Sequence, residues 1–521
     1  MISHEPPALR QQLGLAGMAA LALLLMGATE SASAHALGHP FRLPVPSWLY
    51  LVGAAIAVAA SFVISGVALR VSPDVPHYPR LAMPRLVAQV ASGLLAAIGL
   101  LWWYGAIVAG LLVGGETPIP VILFWIFIWA GLPIFATLLG NPWPSLSPFR
   151  STFSLLERLG GFLGFDRLDL GLRYPAGLAR TPAVLLLFAA IWCELVLPTV
   201  AEPGVVGVLM LGYTVVTMVG MASFGRVAWL RNAELFEVLL GWFGRVGPLG
   251  RRVVRASACD GCTEHCDPNR CIDCPECAAA AKPRERRPEI RPWIAGLTEV
   301  RAAGWSDAAF ILLALAGVTY DGIRSTVVWQ EFSDWLLPYF YPRLDAYLAV
   351  LLISTVGLLT MWLIFAVAFT SVAVLTWLRA DRPESVGLRR AVGAYAATLL
   401  PIAGGYMIAH YLTLVIQGGV WLPEVLRDPR ATTAPPIDAV PASLVWYLSV
   451  AAIVLGHISA IVLAHRIALR DAPSHPVRAG IPLAGLMVGY TVLSLWIIAQ
   501  PLVIEPGAAA QILTAARWLP S

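Results

Sequence analysis

Long apolar runs dominate this chain and confine it to a membrane. The 521 residues are 58% apolar and 13% charged, and the mean hydropathy is +0.74. Soluble domains carry about 25% charged residues, so a chain this long and this poor in charge is expected to cross a bilayer many times. The composition predicts an all-α, polytopic transmembrane helix bundle.

The apolar runs divide the chain into two bundles of five spans each, because a span needs roughly 20 apolar residues. The predicted spans are 47–69, 86–113, 119–140, 181–201, 204–225, 305–320, 346–378, 391–419, 441–465 and 479–503. The bundles occupy 35–250 and 304–521, and the polar segment 251–303 lies between them. Contact with the lipid bilayer follows from this organisation.

The first 34 residues have the pattern of a secretory signal peptide. Arg10 precedes a short apolar run, which ends at "ESASA" with small residues at Ala32 and Ala34, as signal peptidase requires. We expect cleavage after Ala34, with an uncleaved anchor as the alternative. The mature chain would then begin at His35 on the outer side.

The distribution of basic residues predicts the orientation. With the mature N-terminus outside, the loops that fall inside carry 28 Arg or Lys and the outside segments carry six. Without the long 226–303 loop the ratio is still 15 to six. Because cytoplasmic flanks are enriched in Lys and Arg, we expect a multi-pass protein of the bacterial inner membrane with segment 251–303 in the cytoplasm.

A dense group of thiols lies in that cytoplasmic segment. Its six cysteines are Cys259, Cys262, Cys266, Cys271, Cys274 and Cys277. Cytosolic thiols are kept reduced, so the segment is predicted to bind metal rather than to form disulfides. Two C-x2-C pairs separated by eight residues suit a tetrahedral zinc ion, and basic residues on both sides would favour thiolates.

Other uses of the thiols remain open. Cys271, Cys274 and Cys277 form a C-x2-C-x2-C run, which is the core of a bacterial ferredoxin site, so an iron–sulfur cluster is one alternative. Redox-active thiols are another. A zinc ion with four cysteine ligands has no open position for water, so a structural role is favoured over a catalytic one.

Two stretches on the inner side have an amphipathic pattern. In the first, large apolar residues recur every three positions at Phe153, Leu156, Leu159 and Phe162. The second covers 230–247. Both are predicted to be interfacial helices that lie at the lipid headgroups.

Several ionisable side chains fall inside the predicted spans, where they are costly and usually functional. Glu194, Asp321 and His410 are expected in the outer half of the membrane at similar depth, from a rise of about 1.5 Å per residue. His457 lies deeper. A histidine and two carboxylates suit a divalent metal with an open position, although each could equally make hydrogen bonds between helices.

The predicted mature terminus offers a further set of metal ligands. The amine and imidazole of His35, with His39 nearby, have the ligand type that copper prefers. The alternative is a processed signal end without a ligand.

Six stretches between residues 35 and 465 resemble one family of bacterial membrane proteins. They are "HALGHPFRLPVPSWLYLVGAA", "FWIFIWAGLP" followed by "NPWPSLSPFR", "YTVVTMVGMASFGRVAWLRNAELFEVLLGWFGRVGP", "GVTYDGIRST", "MIAHYLTLVIQGG" and "LVWYLSVAAIVLGHISAIVLAH". Their order is similar to that of the fenitrothion hydrolase family, an organophosphate hydrolase component. Many members of that family have a short basic loop where this chain has its cysteines.

The resemblance implies hydrolysis of a P–O aryl ester, with a lipophilic small-molecule substrate and a second protein subunit as partners. A bound metal would activate the water, with His410, Glu194 and Asp321 as ligands and His457 as proton acceptor. The competing interpretation is a non-hydrolytic zinc or iron–sulfur membrane protein, and a transporter ranks third. No nucleic-acid partner is expected.

Overall fold

The computed structural model describes most of the hydrophobic chain. The described residues are 47–68, 78–79, 85–253, 273–274, 277–278, 281, 285–298, 303–340, 343–381, 387–431, 434–435 and 440–500. The predicted signal peptide, His35 and His39 lie outside them, as do Cys259, Cys262, Cys266 and Cys271.

Nine helices precede the cysteine segment. They are α1 (Ser47–Ala68), α2 (Arg85–Leu112), α3 (Ile119–Leu138), α4 (Trp143–Leu146), α5 (Pro148–Phe162), α6 (Thr181–Val196), α7 (Pro203–Phe224), α8 (Arg226–Asn232) and α9 (Leu235–Phe243) within the described residues. Residues Ile122–Gly131 of α3 are wound as a π-helix. Such windings often occur at functional sites.

Seven described helices follow the cysteine segment. They are α10 (Trp305–Arg324), α11 (Val327–Phe340), α12 (Ala346–Trp377), α13 (Leu388–Ala397), α14 (Leu400–Arg427), α15 (Ala442–Asp471) and α16 (Pro476–Ala499). A pair of antiparallel strands, β1 (Leu249–Val253) and β2 (Arg286–Ile290), brackets the cysteines, with Leu249 opposite Ile290. This small sheet was not predicted.

The predicted all-α polytopic bundle is confirmed. Among the described residues, eight helices are long and apolar enough to cross a membrane. The spans expected at 47–69 and 181–201 correspond to two shorter apolar helices, Leu51–Val67 and Thr181–Val196. The protein is therefore a multi-pass membrane protein whose outward-facing apolar side chains would contact lipid.

The sixth predicted span is longer than the sequence indicated. It was expected to end at residue 320, but α10 continues to Arg324. Asp321 is thus held inside a helix, one turn before its end. That rigid position fixes the direction of its side chain.

The two predicted amphipathic helices differ in their surroundings. Helix α5 begins where the Ser147 side chain accepts a hydrogen bond from the Arg150 amide, and it buries Phe153 while leaving Phe162 87% exposed. The prediction for 230–247 was wrong, because every residue of α9 except Gly241 is buried or nearly so. Helix α9 packs against α3, α6 and α14, so its polar residues meet protein instead of headgroups.

Helices from both halves of the chain share one core. Helix α10 packs against α6, and α14 packs against α3. Helix α1 packs against α15 and α16 at the other end of the sequence. This interleaving brings ionisable residues from three distant stretches to one place.

Candidate functional site

Three helices contribute the ionisable side chains of the candidate site. Helix α6 supplies Glu194 close to its end, α10 supplies Asp321, and α14 supplies His410 and Tyr411 as neighbours. Because α10 packs against both α6 and α14, the three groups predicted to lie at similar depth do come together. Their convergence was permitted by the sequence and is observed in the structure.

An aspartate–histidine dyad forms the centre of the site. His410 Nε2 lies 2.8 Å from Asp321 Oδ2. With the proton on Nε2, the ring donates to the carboxylate, and Nδ1 becomes its basic nitrogen. The two side chains are 15% and 22% exposed, so the dyad is open on one side.

Tyr411 joins this dyad to the second carboxylate. Its hydroxyl donates to Asp321 Oδ2 at 2.7 Å and lies 3.1 Å from Glu194 Oε1. A tyrosine hydroxyl has a single proton. For both contacts to be hydrogen bonds at once, one carboxyl must carry a proton of its own, so the cluster can hold a proton that moves between oxygens.

Aromatic rings and a guanidinium hold the dyad in place. The Tyr406 ring stacks on the His410 ring with centroids 6.2 Å apart, and the Tyr411 ring meets it edge-on at 4.7 Å. Arg324, one turn beyond Asp321, donates to the Leu195 backbone carbonyl of α6. These contacts fix the imidazole and tie α10 to α6 beside the site.

A small cavity of about 30 Å³ lies beside Glu194 and Tyr411. Trp129, Glu194 and Tyr411 line it, and the rest of its wall is largely apolar. Since roughly 10–15 Å³ of such space holds one water molecule, the cavity has room for one or two. A water there would touch the Glu194 carboxyl and the Tyr411 hydroxyl.

His457 is not part of this cluster. Its ring is fully buried, its Nδ1 lies 2.8 Å from the Ile453 carbonyl of its own helix, and it packs on Tyr490 with centroids 5.6 Å apart. The family resemblance implied that this residue acts as the proton acceptor of the site. The rotation of α15 instead directs the ring toward α16.

The cluster does not fit a metal site as placed. His410 Nε2 and Asp321 Oδ2 face each other, so the two atoms do not point to a shared ligand position. Among the described residues, no group of three or more His, Cys, Asp or Glu side chains is arranged to hold a metal ion. The arrangement fits proton transfer better than metal ligation.

Only two cysteines of the thiol segment, Cys274 and Cys277, are described. Both are buried and lie on one helical turn, where the Ala278 amide donates to the Cys274 carbonyl at 3.0 Å. Residues three apart share a helix face, and both cysteines belong to one buried cluster with Val253 and Ala281. The other four predicted ligands lie outside the described residues, so the predicted ligand set stays a prediction.

Asp273 anchors that turn to the bundle. Its backbone is left-handed, with φ of 49°, and its Oδ1 accepts from the Arg251 amide of β1 at 2.7 Å. Its Oδ2 lies 2.5 Å from an Arg291 nitrogen, and the Arg291 side chain is completely buried. The thiol turn is therefore linked directly to the protein core.

The fully buried carboxylate Glu234 was missed by sequence reasoning. It accepts hydrogen bonds from the backbone amides of Phe236 and Glu237 at the start of α9, from Trp143 Nε1 at 3.0 Å and from the Tyr213 hydroxyl. Burial raises the pKa of Glu234 to about 7. A Glu just before an apolar run, at a helix start, is the signal that could have found it.

Comparisons with known proteins leave the chain without an assigned family. No protein-family model matches it, no curated protein matches it, and no solved structure matches it.

Proposed function

We propose that the protein is a membrane-bound hydrolase component that cleaves the P–O aryl ester of a neutral, lipophilic organophosphate, as its resemblance to the fenitrothion hydrolase family implies. The observation that carries the proposal is the 2.8 Å contact between His410 and Asp321 in the membrane-spanning region. An ionisable pair at such a position is a functional candidate by default.

The dyad would act as a general base. Asp321 orients the imidazole and stabilises it once protonated, so that Nδ1 of His410 takes a proton from water. The resulting hydroxide attacks phosphorus, the P–O bond to the aryl group breaks, and the phenol leaves after it regains a proton. The hydroxyl of the water is thus found in the dialkyl phosphate or thiophosphate product, and its proton is found in the phenol.

Access to the site is consistent with a lipid-soluble substrate. The dyad is partly exposed, whereas the cavity beside Glu194 is large enough only for water. Pockets that enclose a drug-sized ligand measure roughly 300 Å³ or more. The substrate would therefore approach the exposed part of the dyad from the bilayer.

The proposed reaction uses no metal in the membrane site, because His410 Nε2 and Asp321 Oδ2 contact each other. A positioned general base contributes about 10²–10⁴-fold to a rate. Such a contribution makes the dyad testable by substitution.

The test uses the full-length protein in lipid nanodiscs with a nitrophenyl thiophosphate triester. Asp321→Asn and His410→Ala are each expected to reduce phenol release by about 10²–10³-fold, since each removes the oriented base. Glu424→Gln is the matched control, because Glu424 is an exposed carboxylate on the same helix as His410. Phenol release unchanged in both site variants would refute the proposal.

A second proposal concerns the thiol segment. We propose that it binds zinc as a structural staple, with an iron–sulfur cluster as the alternative, because Cys274 and Cys277 belong to one buried cluster. The other ligands would come from Cys259, Cys262, Cys266 and Cys271. In a staple of this kind the metal orders the segment and leaves no position for water.

Elemental analysis tests the staple. Wild-type protein is expected to contain zinc and to be colourless, whereas a brown protein with broad visible absorption would favour iron–sulfur and a redox function. A Cys259→Ser/Cys271→Ser variant should lose the metal. Retention of full metal content in this variant would contradict the ligand set.

The proposed location is the bacterial inner membrane, with the mature N-terminus outside and the thiol segment in the cytoplasm. The excess of basic residues on the thiol side supports this orientation. A membrane-impermeant thiol reagent added to intact spheroplasts should leave the segment unlabelled. Labelling comparable to that of lysed cells would show that the orientation is the reverse of the one proposed, and the argument for bound metal would then no longer hold.

A further inference from the structure

Two buried polar atoms in the bundle that contains the dyad have no hydrogen-bond partner among the described residues. They are the hydroxyl of Tyr406 on α14 and Nε2 of His457 on α15. Both side chains are fully buried. Tyr406 is also the residue whose ring stacks on His410, so this unsatisfied polar region begins at the dyad.

Helix α10 shows how close these groups are to one another. The Tyr490 hydroxyl is hydrogen-bonded to Thr319 Oγ1 at 2.6 Å, and a Cβ at Gly322 would lie 2.5 Å from the Tyr406 hydroxyl. Thr319 and Gly322 are three residues apart, a rise of about 4.5 Å. The two tyrosine hydroxyls therefore lie one helical turn apart along α10, on its buried side.

His457 extends this polar region further through the bundle. Its ring packs on Tyr490 at 5.6 Å, and its Nδ1 lies within hydrogen-bonding distance of a backbone carbonyl. With the proton on Nδ1, Nε2 is an acceptor. The order from the dyad inward is then His410, Tyr406, Tyr490 and His457.

A buried polar atom without a partner is costly, and in native proteins ordered water usually satisfies it. We propose that internal water molecules bridge Tyr406 and His457 and that, together with Tyr490, they form a file that carries protons between the dyad and the middle of the bundle. The consequence for turnover rests on the proposed function: once the His410 proton has gone to the leaving phenol, the dialkyl phosphate product ionises, and the proton it releases passes from His410 through the file to Nε2 of His457.

Removal of the Tyr406 hydroxyl distinguishes a site that contains internal water from a site that is dry. If water bridges the hydroxyl, Tyr406→Phe breaks real hydrogen bonds and lowers Tm. If the site is dry, the same change removes an unsatisfied polar group and raises Tm. Tyr320→Phe is the matched control, because Tyr320 is equally buried and its hydroxyl donates to the Ser354 carbonyl at 2.9 Å.

We expect both variants to lower Tm in nanodiscs without any substrate present. A Tm for Tyr406→Phe that is equal to or above that of the wild type would overturn the file. Radical footprinting gives an independent measurement, since side chains in contact with internal water are oxidised efficiently. Tyr406 should be modified several-fold more than Tyr320, and equal modification of the two would contradict the proposal.

These outcomes can be separated from those of the proposed function. A raised Tm in Tyr406→Phe together with normal hydrolysis would reject the file and leave the hydrolase intact. A lowered Tm together with no hydrolysis by the wild type would support the file and reject the hydrolase.

Discussion

The Glu234 site and the Asp321 site differ in the groups that satisfy their carboxylates. Glu234 accepts from two backbone amides and from an indole, donors that never titrate. Asp321 accepts from a histidine and a tyrosine, and its neighbour Glu194 shares that tyrosine. Both sites contain a tyrosine hydroxyl, but only the Asp321 site also contains a histidine.

The two sites also differ in how accessible they are. Glu234 is completely buried and caps α9, whereas the side chains of Asp321 and His410 are partly exposed. A carboxylate held by fixed donors in a closed core stabilises structure. One held by titratable partners beside an opening can perform chemistry, so the two sites should respond oppositely when activity and stability are measured together.

The largest effect is expected from combined substitution of the dyad. Because Asp321 acts through the His410 ring, Asp321→Asn/His410→Gln should lose about as much activity as either single variant, about 10²–10³-fold. A double-mutant cycle on phenol release measures this. Losses that multiply would show that the two residues act independently.

Removal of the Glu234 side chain should affect folding instead. Glu234→Ala leaves the Trp143 and Tyr213 donors and two amides without their acceptor, and a lost cap alone costs about 1 kcal/mol. With the buried donors orphaned as well, we expect roughly 3 kcal/mol or more, seen as a strongly lowered Tm. The comparison fails if Glu234→Ala folds normally and loses only activity.

Stability should also depend on pH through Glu234. Its folded pKa is about 7 and its ordinary value 4.5, so between these pH values the folded state binds more protons than the unfolded state. The contribution of this group to the free energy of unfolding is at its maximum, roughly 3 kcal/mol, below about pH 4.5. This contribution is lost as pH rises toward 7.

Glu234→Gln provides the control for that pH effect, because the amide does not titrate. Between about pH 5 and about pH 7.5, the range in which the stability due to Glu234 should be lost, the Tm of this variant should change less than the Tm of the wild type. Parallel Tm curves for the two proteins would mean that Glu234 keeps its ordinary pKa.

The sequence predicted the depth of the candidate site but not its detail. Helical rise placed Glu194, Asp321 and His410 at one level, and packing of α10 between α6 and α14 completed the arrangement. His457 was expected to lie deeper than these three, and depth does not give the rotation of the helix, which turns the ring toward Tyr490 of α16. Tyr411 was not recognised as the bridge, since a tyrosine in an apolar helix usually serves packing.

Helix α9 shows a second limit of the sequence. Its apolar run and flanking charges fit an interfacial helix, but an amphipathic pattern does not reveal whether the polar face meets water or another helix. Here Glu237 is paired with Arg150 at 2.8 Å, and Glu234 is enclosed by Trp143 and Tyr213. Those partners are 21 to 91 residues away along the chain.

The smallest and sharpest test compares the two tyrosines that contact the carboxylates. Tyr411→Phe removes the hydroxyl between Glu194 and Asp321 but leaves the dyad, so phenol release should fall about tenfold with little change in Tm. Tyr213→Phe removes a donor to Glu234 and an acceptor of the Leu235 amide. The free energy of unfolding should therefore fall by about 1–2 kcal/mol, which is seen as a lower Tm. The activity per folded molecule should be retained. The same single-atom deletion thus reports on chemistry at one site and on folding at the other. Equal effects of the two variants on both measurements would mean that the sites do not differ in kind, and the assignment of Asp321 and His410 as the reactive pair would lose its main support.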